Sequence, residues 1–179
     1  MVDFPYKHVI IIVRIEIIRI EIIRNKNKRG DMMMEKAGRE IMYSIFRIQK
    51  ALYRLIREDA TRVGITELQL IILYTLLKKD NIRLNDLAEK LNLSNSTVSG
   101  TIDRLVSAEL VTREPSKEDR RAVILRLTEK GKAKIAEAFN DESVIIQRMR
   151  KLEREIDEAD IEKLLSVHRE IRDILLGEE

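Results

Sequence analysis

The chain has no cysteine, no tryptophan and only two prolines, and aromatic residues make up 4% of its 179 positions. Without cysteine there is no disulfide framework, cysteine nucleophile, zinc finger or thiol-based redox sensor. A reducing cytosol fits this usage, and a cytoplasmic location is expected. Few aromatics leave the core to aliphatic side chains. His8 and His168 are the only histidines, which disfavours a metal-sensing role. No apolar run reaches the roughly 18 uncharged residues of a membrane span, and no small-residue cleavage site follows an uncharged stretch as in a signal peptide. No nucleophile–base constellation, phosphate loop or metal-ligand spacing is present. The chain therefore reads as a non-enzyme with no cofactor and no metal.

What is present is charge and aliphatic bulk: 36% charged and 44% hydrophobic residues, enough for one globular core. Abundant Lys, Arg, Glu and Ile without Cys resembles a thermophile's usage. The net charge is only +3, but it is segregated. From Leu127 onward 10 Lys/Arg face 14 Asp/Glu, whereas the residues before it hold 24 and 17. A basic half suggests one face that meets phosphate.

Residues 1–34 form a leader unlike the rest, with Arg-Ile-Glu-Ile-Ile twice in tandem between Arg14 and Ile23. A five-residue period suits neither helix nor strand. Its β-branched density favours an extended arm that pairs with a second chain. Met32, Met33 and Met34 stand just before the regular helical pattern, so the leader reads equally as a mis-assigned start.

Residues 35–62 carry Ile41, Ile45, Ile48, Leu52 and Leu55 at helical spacing, ending at Gly64. Thr66-Glu67-Leu68-Gln69 is a capping box that opens a helix from Leu68 to Leu77. Asn81-Ile82-Arg83 reads as a turn, and Asn85 as the cap of a short helix from Asp86 to Leu91. Ser94 caps the next helix. Thr128 is expected to cap one long helix carrying Ile135, Phe139, Ile145, Ile146, Met149 and Leu152, and Asp157 a last helix from Ile161 to Leu175. His168 falls on that helix's inward stripe and reads as packed or interfacial. The apolar faces of these terminal helices exceed what the middle of the chain can cover, which predicts a homodimer.

The informative stretch runs from Ser94 to Thr128. Val98, Ile102 and Leu105 lie at i, i+4 and i+7, on the buried side of the capped helix. Asn95, Ser96, Thr97, Ser99, Gly100 and Asp103 are left toward the outside. Small polar residues let a helix approach base edges, and its N-terminus presents free N–H groups to phosphate. Val111-Thr112-Arg113 and Ala122 to Leu127 are strand-like, joined by a charged loop from Glu114 to Arg121. Arginine at such a tip suits a narrow minor groove. We therefore expect DNA contacts from Ser94, Asn95, Ser96, Thr97, Ser99, Gly100, Arg104, Arg113, Lys117, Asp119, Arg120 and Arg121, with Arg126 adding affinity.

Leu84-Asn85-Asp86-Leu87-Ala88-Glu89-Lys90-Leu91, Ser94 to Ser99, Arg104-Leu105, Asp119-Arg120-Arg121 and Leu127-Thr128-Glu129-Lys130-Gly131 resemble the MarR family of winged-helix regulators. The resemblance covers roughly residues 35–176. It implies a mainly α fold with a small β-wing: a winged helix-turn-helix over 64–128, flanked by an N-terminal (35–62) and C-terminal (129–176) dimerisation helices. It also implies an obligate dimer on a palindromic double-stranded operator, and repression relieved by a small, often phenolic, ligand. By the same resemblance Arg121 enters the minor groove and Asp119 buttresses the wing. A ligand crevice would draw on Tyr43, Tyr53, Arg54 and Tyr74, tyrosines that core packing explains equally well. Two departures stand out. Relatives often carry a basic residue where this chain has Gly100, and the leader is foreign to the pattern. The near-neutral helix keeps a second reading open, a winged-helix protein-interaction module without sequence-specific DNA binding.

Overall fold

The computed structural model describes residues 36–79, 81–115 and 123–177; the leader, with the arm or mis-start reading, lies outside them. Two compact units divide the chain between Ala138 and Phe139.

In the first unit, α1 (Lys36–Arg62) leads through Gly64, whose φ of +74° suits glycine, into α2 (Glu67–Lys78). The capping box is formed: Thr66 Oγ1 accepts the Gln69 N–H, and the Gln69 side chain accepts the Thr66 N–H. α2 is central, with Leu70, Ile71, Ile72, Leu73, Thr75 and Leu76 buried. The Thr75 hydroxyl is satisfied by the Ile71 carbonyl at 2.8 Å, so it costs the core little.

Next come β1 (Ile82–Arg83), α3 (Leu84–Leu91), α4 (Asn95–Ser107), β2 (Val111–Pro115), β3 (Val123–Leu127) and α5 (Glu129–Ala138). The strands form an antiparallel sheet in the order β1-β3-β2. α2 packs against α1, α4, α5 and β3.

Three local expectations are corrected. Ile82 and Arg83 are a strand and not a turn, because they pair with Leu125 and Ile124. Arg83, extended at φ −72° and ψ 150°, thereby becomes the N-cap of α3. Asn85 lies inside the helix and does not cap it. Glu114 and Pro115 also extend β2, opposite Ile124 and Val123, where a loop was expected. Pro115 closes the described part of an edge strand, a position that tolerates a missing donor.

The helix expected to run unbroken from Thr128 is two helices. In the second unit, α6 (Val144–Glu155) starts afresh at Ser143, whose Oγ accepts the Ile146 N–H at 3.2 Å. Asn140 Oδ1 takes the Glu142 N–H in the intervening turn; such side chains compete with helical bonding. On the near side, Arg62 donates to the carbonyls of Glu137 and Ala138 and closes the end of α5. Asp157 caps α7 (Glu158–Leu176), and Gly177 ends it at φ +66°. None of α7 is buried within the chain; His168 is exposed on it, not packed. Among the described residues no single helix is long and apolar enough to cross a membrane.

Candidate nucleic-acid interface

The surface begins with the turn between α3 and α4. Asn92 is left-handed (φ 52°, ψ 41°), a conformation Asn tolerates. Leu93 N–H then returns to the Ala88 carbonyl at 2.9 Å. Ser94 resumes an extended backbone and caps α4: its Oγ accepts the Thr97 N–H at 3.2 Å. The same oxygen lies 3.0 Å from Ser96 Oγ and 2.7 Å from Thr97 Oγ1. These hydroxyls form a connected cluster at the helix start.

Val98, Ile102 and Leu105 are fully buried, and Thr101 beside them donates to the Thr97 carbonyl at 2.9 Å. The opposite face leaves Ser94, Asn95, Ser96, Thr97, Gly100, Asp103 and Arg104 exposed, with Ser99 half-buried. A Cβ built on Gly100 would meet nothing within 4 Å, so packing does not require the glycine. Among the described residues Arg104 has no ion-pair partner.

The wing rises from the end of α4. Cross-strand partners in an antiparallel pair share a face. Arg113 stands opposite Leu125, which is fully buried, so its side chain leaves on the core-facing side. There Arg113 Nη1 meets Asp103 Oδ1 at 2.5 Å, and Nη2 donates to the Ser99 carbonyl at 3.3 Å. On the other face Arg126 Nε lies 3.3 Å from Glu114 Oε2. Two of the cations expected to serve DNA are thus already paired with carboxylates. Lys117, Asp119, Arg120 and Arg121 lie outside the described residues.

Beside the Thr128 cap expected from sequence, the wing root holds contacts that sequence reasoning missed. Glu109 turns left-handed at φ +61°. Its carbonyl accepts the Thr128 hydroxyl at 2.8 Å, and its carboxylate takes Lys130 Nζ at 2.8 Å. Thr128 N–H donates to the Leu110 carbonyl, and Thr128 Oγ1 also accepts the Gly131 N–H at 3.0 Å, capping α5. Gly131 lies against the Leu110 carbonyl and the Leu127 side chain, with no room for a Cβ. The signal was visible as Leu127-Thr128-x-x-Gly131, but its partner, Glu109-Leu110, lies on the far side of the hairpin. Lys130 holds the Glu109 carboxyl below its ordinary value, by hydrogen bond first and by charge second.

Of the four ligand candidates, Tyr43, Tyr53 and Arg54 lie on α1 and Tyr74 on α2. Tyr43 and Tyr53 lie ten positions apart on α1, about 15 Å along its axis. Arg54 is exposed and lies 3.7 Å from Glu58. Tyr74, on α2, has Lys78 Nζ 5.5 Å from its ring centroid. Tyr53 is half-buried; burial pushes its phenol above the ordinary value, Glu67 adds to this, and Arg57 opposes it. Among the described residues no group of three or more His, Cys, Asp or Glu could hold a metal ion.

Comparison with known proteins agrees on one family. Residues 65–123 match the MarR family. The HTH-type transcriptional repressor MdtR of Bacillus subtilis is 29% identical over 117 residues, spanning 63% of this chain and 76% of that repressor. A MepR-like protein, solved in complex with pseudoligands, is 30% identical, with a TM-score of 0.52 over 81% of this chain and all of that one. The repressor CouR, solved on a 23-mer DNA duplex, is 24% identical, with a TM-score of 0.63 over 80% of this chain and 99% of that one.

Proposed function

The chain belongs to the MarR family, whose members here are transcriptional regulators and not enzymes, and from that premise we propose a homodimeric repressor that reads a palindromic duplex operator and is released by a small phenolic ligand. The observation that carries the DNA reading is the polar, exposed face of α4. Asn95, Ser96 and Thr97 sit uncovered over a fully buried Val98-Ile102-Leu105 stripe. Such a helix fits the major groove with small donors and acceptors at base edges. Ser94, Ser99, Gly100 and Arg104 complete that surface, and Lys117, Asp119, Arg120 and Arg121 are assigned to the wing tip. With Arg113 and Arg126 held by carboxylates, the tip arginines carry most of the backbone attraction.

Dimerisation is supported by the apolar side chains that α7 leaves uncovered, Leu164, Leu165, Ile174 and Leu175 among them. A two-fold reader places its half-sites about one helical turn, roughly 34 Å, apart. Release by a phenolic ligand rests on resemblance to relatives, with Tyr43, Tyr53, Arg54 and Tyr74 as the residues to examine. The proposed setting is the cytoplasm. The small formal charge of α4 favours a second reading, a winged-helix surface that docks protein.

Selection of genomic fragments on the purified chain tests both. The regulator reading expects recovery of a common two-fold sequence whose affinity falls steeply between about 50 and 200 mM salt. Recovery of random fragments, or of none, overturns it. Arg121→Ala is expected to weaken operator binding by about 1–3 kcal/mol.

A further inference from the structure

We propose that Arg113 is a positioning residue that fixes the recognition helix to the wing through Asp103 and Ser99, and that this strut sets sequence selectivity without touching DNA. The inference rests on the regulator reading and deepens it.

Three observations carry it. First, Arg113 opposes Leu125 in the sheet, so its side chain emerges toward the protein and not outward from the wing. Second, its guanidinium uses two nitrogens on one helix: Nη1 takes the Asp103 carboxylate at 2.5 Å and Nη2 the Ser99 carbonyl at 3.3 Å. Ser99 and Asp103 are four residues apart, one turn on the same side of α4. A planar fork that grips two successive turns resists both sliding and rotation of the helix, which a single point charge does not. Third, Ser99 and Asp103 lie beside the residues assigned to bases, with Gly100 between them exposed. A small rotation of α4 would displace Asn95, Ser96 and Thr97 relative to base edges, and base readout depends on such geometry.

The strut also has an electrostatic role. Asp103 is an exposed acid on the face that would meet phosphate. Arg113 neutralises it, so among the described residues Arg104 is the one formal charge of α4 without an ion-pair partner. Asp103 and Arg113 therefore form a neutral unit, and the positive charge that draws DNA comes from elsewhere on the surface.

A phosphate-contacting arginine and a strut predict opposite results for Asp103→Asn. If Arg113 were held back from phosphate by Asp103, releasing it would tighten operator and scrambled duplexes alike and steepen the salt slope by about one. The strut predicts that operator affinity falls while scrambled-duplex affinity does not, cutting their ratio by about tenfold, as one mismatched base pair would. Arg113→Lys keeps the charge but loses the two-point grip. The strut predicts a smaller loss of ratio for it, with the salt slope unchanged, where a phosphate contact would leave the ratio intact. In the pair Asp103→Asn/Arg113→Gln the losses do not add.

Both affinities are measured on the duplex recovered by fragment selection and on its scrambled sequence, with thermal midpoints as the control for folding. If Arg113→Gln unfolds, Asp103→Asn and Arg113→Lys still decide the question. An unchanged ratio in Asp103→Asn, or an equal change on both duplexes, overturns the strut and leaves the regulator reading standing. A wild-type chain that prefers no duplex sinks both.

Discussion

The hydroxyl of Thr128 donates to the carbonyl of Glu109 at 2.8 Å and accepts the N–H of Gly131 at 3.0 Å. One side chain thereby ties Glu109, two residues before β2, to the end of β3 and to the first turn of α5. The wing is a two-stranded projection with few buried residues of its own, so its direction is set at this root. Thr128→Ala removes a helix cap and leaves the Glu109 carbonyl without its donor, a loss of about 1–2 kcal/mol. Thr128→Ser keeps both bonds and is expected to stay within a few tenths of wild type. Urea unfolding of the two variants checks this; equal stability for Ala and Ser would show that the hydroxyl contributes nothing.

Two glycines of the same unit are expected to answer alanine with opposite signs. At Gly131 a new Cβ would press on the Leu110 carbonyl, a backbone atom that cannot swing aside. Gly131→Ala is expected to cost about 1–3 kcal/mol or more, as overpacking does. Gly100 sits inside α4 with open space around it. Gly100→Ala is expected to stabilise by about 0.5–1 kcal/mol through helix propensity. Thermal unfolding measures both, and a destabilised Gly100→Ala would point to a packing role the structure does not contain.

Acid should loosen the same root. The Glu109 carboxyl is held below its ordinary 4.5 by Lys130. A carboxyl with a lowered folded value contributes stability that is present above its unfolded value and lost as pH falls through the folded one. The contribution is therefore complete at neutral pH and fades in the acid range below about 4.5. Glu109 is exposed, so salt should shrink the effect. Thermal midpoints of wild type and Glu109→Gln are expected to differ slightly at pH 7 in low salt and to converge at acid pH or in high salt. A gap that widens on acidification would refute the pairing.

The parts of the fold that sequence disclosed were those set by neighbours in the chain. The Thr66–Gln69 capping box, the Ser94 cap and the Val98-Ile102-Leu105 stripe each depend on residues within a few positions. What was missed depends on distant partners. Ile82-Arg83 becomes a strand because Leu125 and Ile124 arrive to pair with it, and once Arg83 is extended α3 begins two residues earlier than an Asn85 cap would place it. The apolar spacing from Ile135 to Leu152 suggested one helix, because periodicity does not register a Ser143 cap that restarts the count. At the interface, composition identified Arg113 as a cation but could not disclose Asp103 as its partner. That pairing follows from the strand register, which decides the face on which the arginine emerges.

On α7, Leu164 and Leu165 remain 48% and 50% exposed and Ile174 and Leu175 78% and 75%. A helix of 19 residues with none buried gains little from its own chain. Burying one such leucine or isoleucine against a second copy would contribute about 1.5–3 kcal/mol. A handful of them per protomer is then enough to offset the cost of association. Leu164→Glu and Leu175→Glu place charges in that seam, while the capped α4 and its buried stripe lie in the other unit. Sedimentation equilibrium is expected to give a dimer for wild type and a monomer for the double variant, with thermal unfolding of the first unit little changed. Because one recognition helix covers one half-site, the monomer's footprint should shrink to a half-site and its affinity should no longer depend on the spacing between halves. A monomeric wild type at micromolar concentration, or a variant that stays dimeric, would remove α7 from the interface.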